Sequence, residues 1–412
     1  MPEQNNTRKL TKITITSRKQ TILPVALILA ITSTAHANSG TPLMWSSFLH
    51  LFFGNLFLGI FEGLLLVHFF KTKKNLAVIL MILANYLSAW AGVFIIYDLI
   101  PTQSLGLSQV WPYFWKMVAL TYILTLLLEY PFVALSFWRK PRWLPRSLKG
   151  TLIVQTISHF IIFGWYSLTS TANLYTDNQI VDLSEMSLPQ HVTMYYISSD
   201  DGDVYSRSLT ADAAPSKTFD LNSKGYGDYL FVRHSENNDG TYDLYACITS
   251  DKDYRDSETI LIAESFTKTA APTERDLEHD LEEYRTRYWF SPTDVPKLGP
   301  AQSSPWKFKT SIWSLMGLTA KNTKTEQSER VAFTTPFGGW LPKNATHLPT
   351  DKALFQLGIY PFNLKYLRGD QICIYDPNKK QLAKITHGKG PIAIIKDKPQ
   401  KPTATPTNTT AD

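Results

Sequence analysis

The sequence predicts a membrane protein of two unlike halves: a four-helix transmembrane domain, then an all-β-dominated extracytoplasmic domain with a propeller-like rhythm. Three observations carry this expectation. Residues 42–172 are dominated by long apolar stretches with almost no charge. The links between those stretches alternate between strongly basic and neutral. From Asn173 onward the chain changes to alternating, strand-like runs broken by Asp-Gly pairs.

At the start, Arg8, Lys9, Lys12, Arg18 and Lys19 precede the apolar run 22–31, and the small residues of Ala35-His36-Ala37 follow. That order is the layout of a secretory signal peptide spanning 1–37, with cleavage before Asn38. The apolar run is too short to cross a hydrocarbon core, which takes about 20 helical residues.

Four segments in the region 38–172 are long enough to span: 44–70, 76–97, 111–138 and 151–172. Lys71, Lys73 and Lys74 join the first pair, and Arg139, Lys140, Arg142, Arg146 and Lys149 lie between the last pair. The intervening link, 101–110, has no charge. Positive residues stay on the cytoplasmic side, so everything after Ala172 is expected outside, in a bacterial-type inner membrane. Trp45, Trp111, Trp115, Trp138 and Trp143 near the segment ends suit interfacial anchoring.

Charged groups inside lipid cost at least ~2.5 kcal/mol each on insertion scales, so an intramembrane carboxylate needs a partner or a task. Glu62 lies nine positions from Lys71, Asn85 eleven from Lys74, Glu129 ten from Arg139 and His159 ten from Lys149. At ~1.5 Å per residue all four reach a depth of about 13 to 17 Å, so each helix offers one polar group to one layer. Asn55, Gly59 and Glu62 share a face of the first helix, and Asn85, Ser88 and Gly92 share a face of the second. Gly59 and Gly63 form a Gly-x-x-x-Gly, and Pro131 removes the amide that would bond the Leu127 carbonyl near Glu129. Glu62, Asn85, Glu129 and His159, supported by Asn55, Ser88, Gly59 and Pro131, are therefore either a proton or cation site or a hydrogen-bonded packing clasp. No Glu-x-x-His spacing of a dinuclear centre is present, and His50, His68 and His159 sit at different depths, against a haem.

The region 173–395 reads as β-rich. Asp201-Gly202 and Asp239-Gly240 suit hairpin turns, and 204–221, 229–263 and 371–385 form three hairpin-like stretches, the last turning at Asp376-Pro377-Asn378. Asp200, Asp201 and Asp203 lack calcium-hand spacing and read as a turn. Leu277, Leu281, Tyr284 and Tyr288 share a helical face, predicting a short amphipathic helix over 273–288. His387-Gly388-Lys389-Gly390 reads as a glycine-bounded turn between two strands, with an anion nest as the alternative. Cys247 and Cys373 either pair in an oxidising compartment or are plain buried residues. The Lys-, Pro- and Thr-rich stretch 396–412 predicts a disordered tail.

The 412-residue chain has a formal charge of +6, but much of the excess lies in the first 20 residues and the basic links, with no basic stripe interleaved with aromatics. Nucleic acid is accordingly not an expected partner. No Gly-x-Ser-x-Gly, His-Glu-x-x-His or phosphate loop occurs, so an enzyme is the less expected class and no cofactor is implied. Trp306, Trp313 and Trp340 either line a groove or fill the core. The expected partners are the lipid bilayer and an envelope protein or small ligand at the external domain. The alternative function is a small transporter or channel subunit built on the polar layer.

Overall fold

In the computed structural model, residues 42–99, 105–225, 227–236, 240–249, 257–270, 293–311, 316–360 and 370–395 are described. The expected signal peptide, the 273–288 helix, Trp313 and the 396–412 tail fall outside them.

Among the described residues, four long helices precede the strands. Helix α1 runs through Pro42–Leu49, a π-helical turn at His50–Gly54 and Asn55–Phe70. It is followed by α2 (Lys74–Leu99), α3 (Leu107–Ser136) and α4 (Trp143–Ser167). Three stretches, Leu43–Phe70, Lys74–Gly92 and Leu107–Ser136, are long and apolar enough to cross a membrane. Helix α4 begins eight residues before the expected 151 and ends five before 172. Arg146 and Lys149 are helical and exposed in the first two turns, where a charged side chain costs the helix little.

The helices pack in ring order, α1 on α2, α2 on α3, α3 on α4 and α4 back on α1. The close contact of the first pair rests on glycine. A Cβ on Gly59 would stand 2.5 Å from the Ile82 Cα, and one on Gly63 2.6 Å from the Val78 Cα. The Gly-x-x-x-Gly thus seats α1 on the α2 backbone. Leu66, Ala77, Met81, Ala84, Val133, Phe137 and Val154 fill the space between the helices. At the basic end, Lys71 turns into the left-handed region to end α1, with φ 54°. The Lys140 ammonium reaches across to donate to the carbonyl of Lys71 at 2.5 Å and of Phe70 at 3.4 Å. A cation on the last carbonyls of a helix also complements its dipole.

A short helix α5 (Asn173–Thr176) leads into sixteen strands among the described residues: β1 (Gln179–Ile180), β2 (Val192–Ser198), β3 (Val204–Ser208), β4 (Ser216–Phe219), β5 (Tyr229–His234), β6 (Tyr242–Thr249), β7 (Ser257–Thr267) and β8 (Thr293–Asp294), then β9 (Trp306–Ser311), β10 (Gly317–Asn322), β11 (Ser328–Val331), β12 (Phe333–Thr335), β13 (Gly338–Leu348), β14 (Lys352–Tyr360), β15 (Gln371–Asp376) and β16 (Gln381–Ile395). A nine-stranded sheet has the order β12-β13-β14-β15-β16-β2-β3-β4, with β1 on β16. A four-stranded sheet, β11-β10-β9-β8, and a three-stranded one, β5-β6-β7, complete the set. Among the described strands all pairings are antiparallel apart from the short β1–β16 pair. The three hairpin-like stretches are hairpins, but two belong to the large sheet and one to the small; neither propeller blades nor a closed barrel appears among the described residues.

Strand β16 explains why the large sheet can be so wide. Its first half pairs with β15 and its second half, from Gly388 onward, pairs with β2, with a register shift between Lys389 and Ile392 inside that second ladder. His387-Gly388-Lys389-Gly390 therefore lies inside a 15-residue strand, which corrects the expected turn. The glycines serve a crossing of backbones instead: a Cβ on Gly390, at φ 52°, would stand 2.3 Å from the Tyr229 Cα of β5.

Helix and sheet share one core. Leu107 and Val110 of α3 and Leu174 of α5 are buried with Trp306, Phe308, Phe333, Phe355, Cys373 and Tyr375. Trp111 stacks on Tyr175 at 5.6 Å and meets Phe333 edge-on at 6.1 Å, while Phe114 meets Phe333 at 5.9 Å. Trp111 is therefore part of a joint rather than a freestanding interfacial anchor. Gln371 on β15 grips both ends of the α3 entry, accepting from the Leu107 amide at 3.0 Å and donating to the Leu105 carbonyl at 2.7 Å. The Tyr175 hydroxyl adds a 2.6 Å bond to the Leu107 carbonyl.

Candidate functional site

Polar groups inside an apolar bundle must find one another, because a buried unpaired donor or acceptor loses its hydration with nothing in return. Glu62 on α1, Asn85 and Ser88 on α2, Glu129 on α3, and Gln155 and Ser158 on α4 meet in such a network. Both glutamates are 1% exposed. The Asn85 amide donates to Glu62 Oε2 at 2.5 Å and to the Met81 carbonyl at 3.0 Å. The Ser88 hydroxyl donates to Glu129 Oε1 at 2.6 Å. The Gln155 amide donates to Glu129 Oε2 and lies within reach of the Glu62 carboxyl, as does the Ser158 hydroxyl. Gln155 thus bonds Glu129 beside Glu62, and its own carbonyl oxygen accepts from Ser158 at 3.2 Å.

The structure brings Glu62, Asn85, Ser88 and Glu129 together and adds Gln155 and Ser158. It does not bring His159 to them. That ring is half-buried against Tyr122 at 5.0 Å, on an adjoining face of α4. Asn55 is buried but turns its amide back to the Leu51 carbonyl at 3.1 Å, at the end of the π-helical turn. Gly59 acts through the α1–α2 contact, and Pro131 sits inside α3 one half-turn beyond Glu129. Ser147, Thr151, Gln155 and Ser158 are buried on one face of α4. Their 4-4-3 spacing is the signal by which the two additional residues were legible, had uncharged polar groups been weighed with the ionisable ones.

The donors that face the carboxyls are neutral, and both amides turn N–H groups toward the acids. The chemistry open to such an arrangement is either to hold a proton on a carboxyl or to fix helix packing. Among the described residues no group of three or more His, Cys, Asp or Glu is placed to hold a metal.

In the β region, Cys247 and Cys373 are free and buried, on different sheets. Burial raises the Cys373 thiol to about 12, so it is inert while the core is closed. Trp306 and Trp340 are buried in the shared core, and the Trp306 indole donates to Asn378 at 3.0 Å. Asp200, Asp201 and Asp203 lie in and beside the β2–β3 turn. Asp203 accepts from the Leu221 and Asn222 amides, both at 2.9 Å, and pairs with Lys217 at 2.6 Å. Those contacts, Lys217 foremost, hold its carboxyl down to about 2.

Fold and site together define an apolar helical bundle, bearing a buried pair of carboxyls, joined to a large antiparallel β region. Compared with known proteins, the chain matches no family model, no curated protein and no solved structure.

Proposed function

We propose that this chain is a multi-pass membrane protein whose four helices hold an extracytoplasmic β-rich domain at the membrane surface, where it binds a ligand or partner protein. One observation carries the reading: the first turns of α3 belong to the core of the β region, through Trp111, Phe114 and the Gln371 grip. A tether alone would not need that joint, whereas a domain presented in fixed orientation does. The cationic links at the opposite end of the bundle support an outward β domain, and α4 serves as the fourth span.

Orientation is tested with an impermeant maleimide on intact cells. The native thiols are buried, so single cysteines at exposed Ser216 and Lys73 report cleanly. Ser216→Cys is expected to label at once and Lys73→Cys after permeabilisation; the reverse pattern sinks the orientation. For binding, a photocrosslinker at Lys217 in cells is expected to give one discrete adduct. No adduct from any exposed position of β3 and β4 would count against a bound partner.

A second reading, proton-linked transport, is favoured by the carboxyl pair. Two acids in contact with neutral donors, far from the basic residues, are compensated by protons. Glu62→Gln and Glu129→Gln keep the shape and cost less than about 2 kcal/mol of stability if their partners adjust. In proteoliposomes carrying a pH dye, either change is expected to abolish acidification; unchanged flux in both removes this reading and leaves a packing clasp.

A further inference from the structure

A second pair of titratable groups lies at the joint. In a regular strand, residues three apart point to opposite faces. In β16 a bulge intervenes: Cys373 pairs with Lys384, whereas Ile372 pairs with Thr386 and Gln371 with His387. The extra residue brings Lys384 and His387 to the same face, with the Lys384 Nζ and His387 Nε2 2.6 Å apart. This is the face of Cys373 and of Gln371, the residue that grips the entry of α3.

We propose that Lys384 and His387 form an acid-sensitive latch on the joint between the β domain and helix α3. At 2.6 Å one of the two nitrogens must be unprotonated, since two cations cannot share a hydrogen bond. The imidazole is the acceptor and the ammonium the donor, the arrangement that suits neutral pH. A second proton puts two like charges side by side, beside the residue that holds Leu105 and Leu107. Separation of the two side chains then disturbs the β15–β16 pairing at Gln371.

The groups facing the pair from other elements do not relieve this. Asp200, in the β2–β3 turn, is near enough to favour the charged imidazole, but ranks after burial and Lys384 in its effect. From β15, Cys373 faces Lys384 and is held as a neutral thiol. The Asp370 carbonyl receives the Gly388 amide, while its carboxylate is engaged by Lys343 and Gln356. From β3, Arg207 donates to the Ile385 carbonyl at 2.7 Å. Leu105 and Leu107 on the α3 side bring no charge.

Burial, then the Lys384 charge, lowers the His387 pKa from the ordinary 6.5, and burial lowers that of Lys384. A depressed histidine means the unfolded or parted state binds the extra proton more readily. Its contribution to the closed joint is therefore complete above pH 6.5 and is lost as pH falls through the depressed value.

Hydrogen exchange of the purified full-length protein, corrected for intrinsic pH dependence, tests the latch. Between pH 7.5 and 5.5 the amides of Val110 and Trp111, together with the β15–β16 ladder at Gln371, are expected to exchange roughly tenfold faster in the wild type. In His387→Gln that increment is expected to vanish, because the side chain no longer gains a proton. Lys384→Gln removes the repelling partner but not the burial, so its increment is expected to be smaller than that of the wild type without vanishing, and a folding failure of one variant leaves the other decisive. His347, pushed by burial down to about 4, stays neutral over this range. An acid effect of equal size in both variants, or none in the wild type, overturns the proposal.

Discussion

Asp228→Ala is expected to release the three-stranded β5-β6-β7 sheet from the rest of the β domain while the large sheet stays closed. Asp228 is 1% exposed. Its carboxylate accepts from the Ser223 hydroxyl, from the Gly225 amide at 2.8 Å, and from the Thr249 amide and hydroxyl at 2.7 and 2.8 Å. Lys389, reaching over from β16, stands 3.9 Å from it and bonds the Gly225 carbonyl at 2.6 Å and Ser223 at 3.1 Å. Alanine leaves these donors facing an empty site and takes the nearby anion away from a mostly buried ammonium. Removing one partner from such an arrangement costs about 3–5 kcal/mol. Leu230, Val232, Leu244 and Ala246 still pack on Tyr195, Ile197 and Ile394, so the sheet opens rather than the whole chain unfolding. The two native thiols distinguish these outcomes, since Cys247 lies on β6 and Cys373 on β15. Cys247 is expected to alkylate at least about a hundredfold faster in the variant, the equivalent of ~3 kcal/mol, with Cys373 unchanged. Equal acceleration of both thiols would mean global unfolding, and no acceleration of Cys247 would refute the clamp. Asp228→Asn, which keeps one acceptor, should fall between, at about 1–3 kcal/mol.

Lys389 also shows where the sequence stopped being readable. Gly388 and Gly390 around it read locally as a turn, because glycine is the cheapest residue at a positive φ. Gly390 accommodates a close approach by the chain at Tyr229, some 160 positions away, and Gly388 one by Tyr196 and Ile197 of β2, and no local pattern announces such long-range crossings. The strand pairs β2–β3, β5–β6 and β15–β16 were legible from alternation and turn residues. The order that places β16 next to β2 was not, because pairing of distant strands leaves no periodic trace.

The helical part was more transparent. Apolar runs located α1 to α3, and the count of residues from the basic links placed Glu62, Asn85 and Glu129 at one level, where they meet. Depth along a helix follows from rise per residue, but direction around it needs the packing partner. His159 and Ser158 are neighbours in depth, yet Ser158 faces the network and His159 faces Tyr122. Ionisable character singles out the histidine in the sequence, whereas in the fold it is the neutral amide of Gln155 that bonds Glu129 beside Glu62. The joint was hidden for a similar reason: Trp111 suits a lipid interface as well as an aromatic core, and Phe333 becomes its neighbour through tertiary folding alone.

Phe333→Ala strikes that joint and is expected to give the converse thiol pattern. Phe333 is fully buried and meets four rings, Tyr175 at 5.3 Å, Trp340 at 5.6 Å, Phe114 at 5.9 Å and Trp111 at 6.1 Å. Two of these rings come from α3, one from α5 and one from β13, so a single side chain fills the space where helix and sheet interlock. Deleting a buried phenyl costs about 3–5 kcal/mol through lost burial and the cavity left behind. Rigid neighbours on two elements limit collapse, which favours the upper part of that range. Cys373 belongs to the same core cluster. It is expected to alkylate at least about a hundredfold faster, while Cys247, outside that cluster, keeps its protection. Phe333→Leu retains most of the volume and should cost less than about 1.5 kcal/mol. Both thiols staying protected in Phe333→Ala would show that Gln371 at the α3 entry and the Thr171–Thr334 bridge after α4 hold the joint without the aromatic core. In that event the fixed presentation of the β domain would rest on hydrogen bonds alone, and the proposed binding role would lose the observation that carries it.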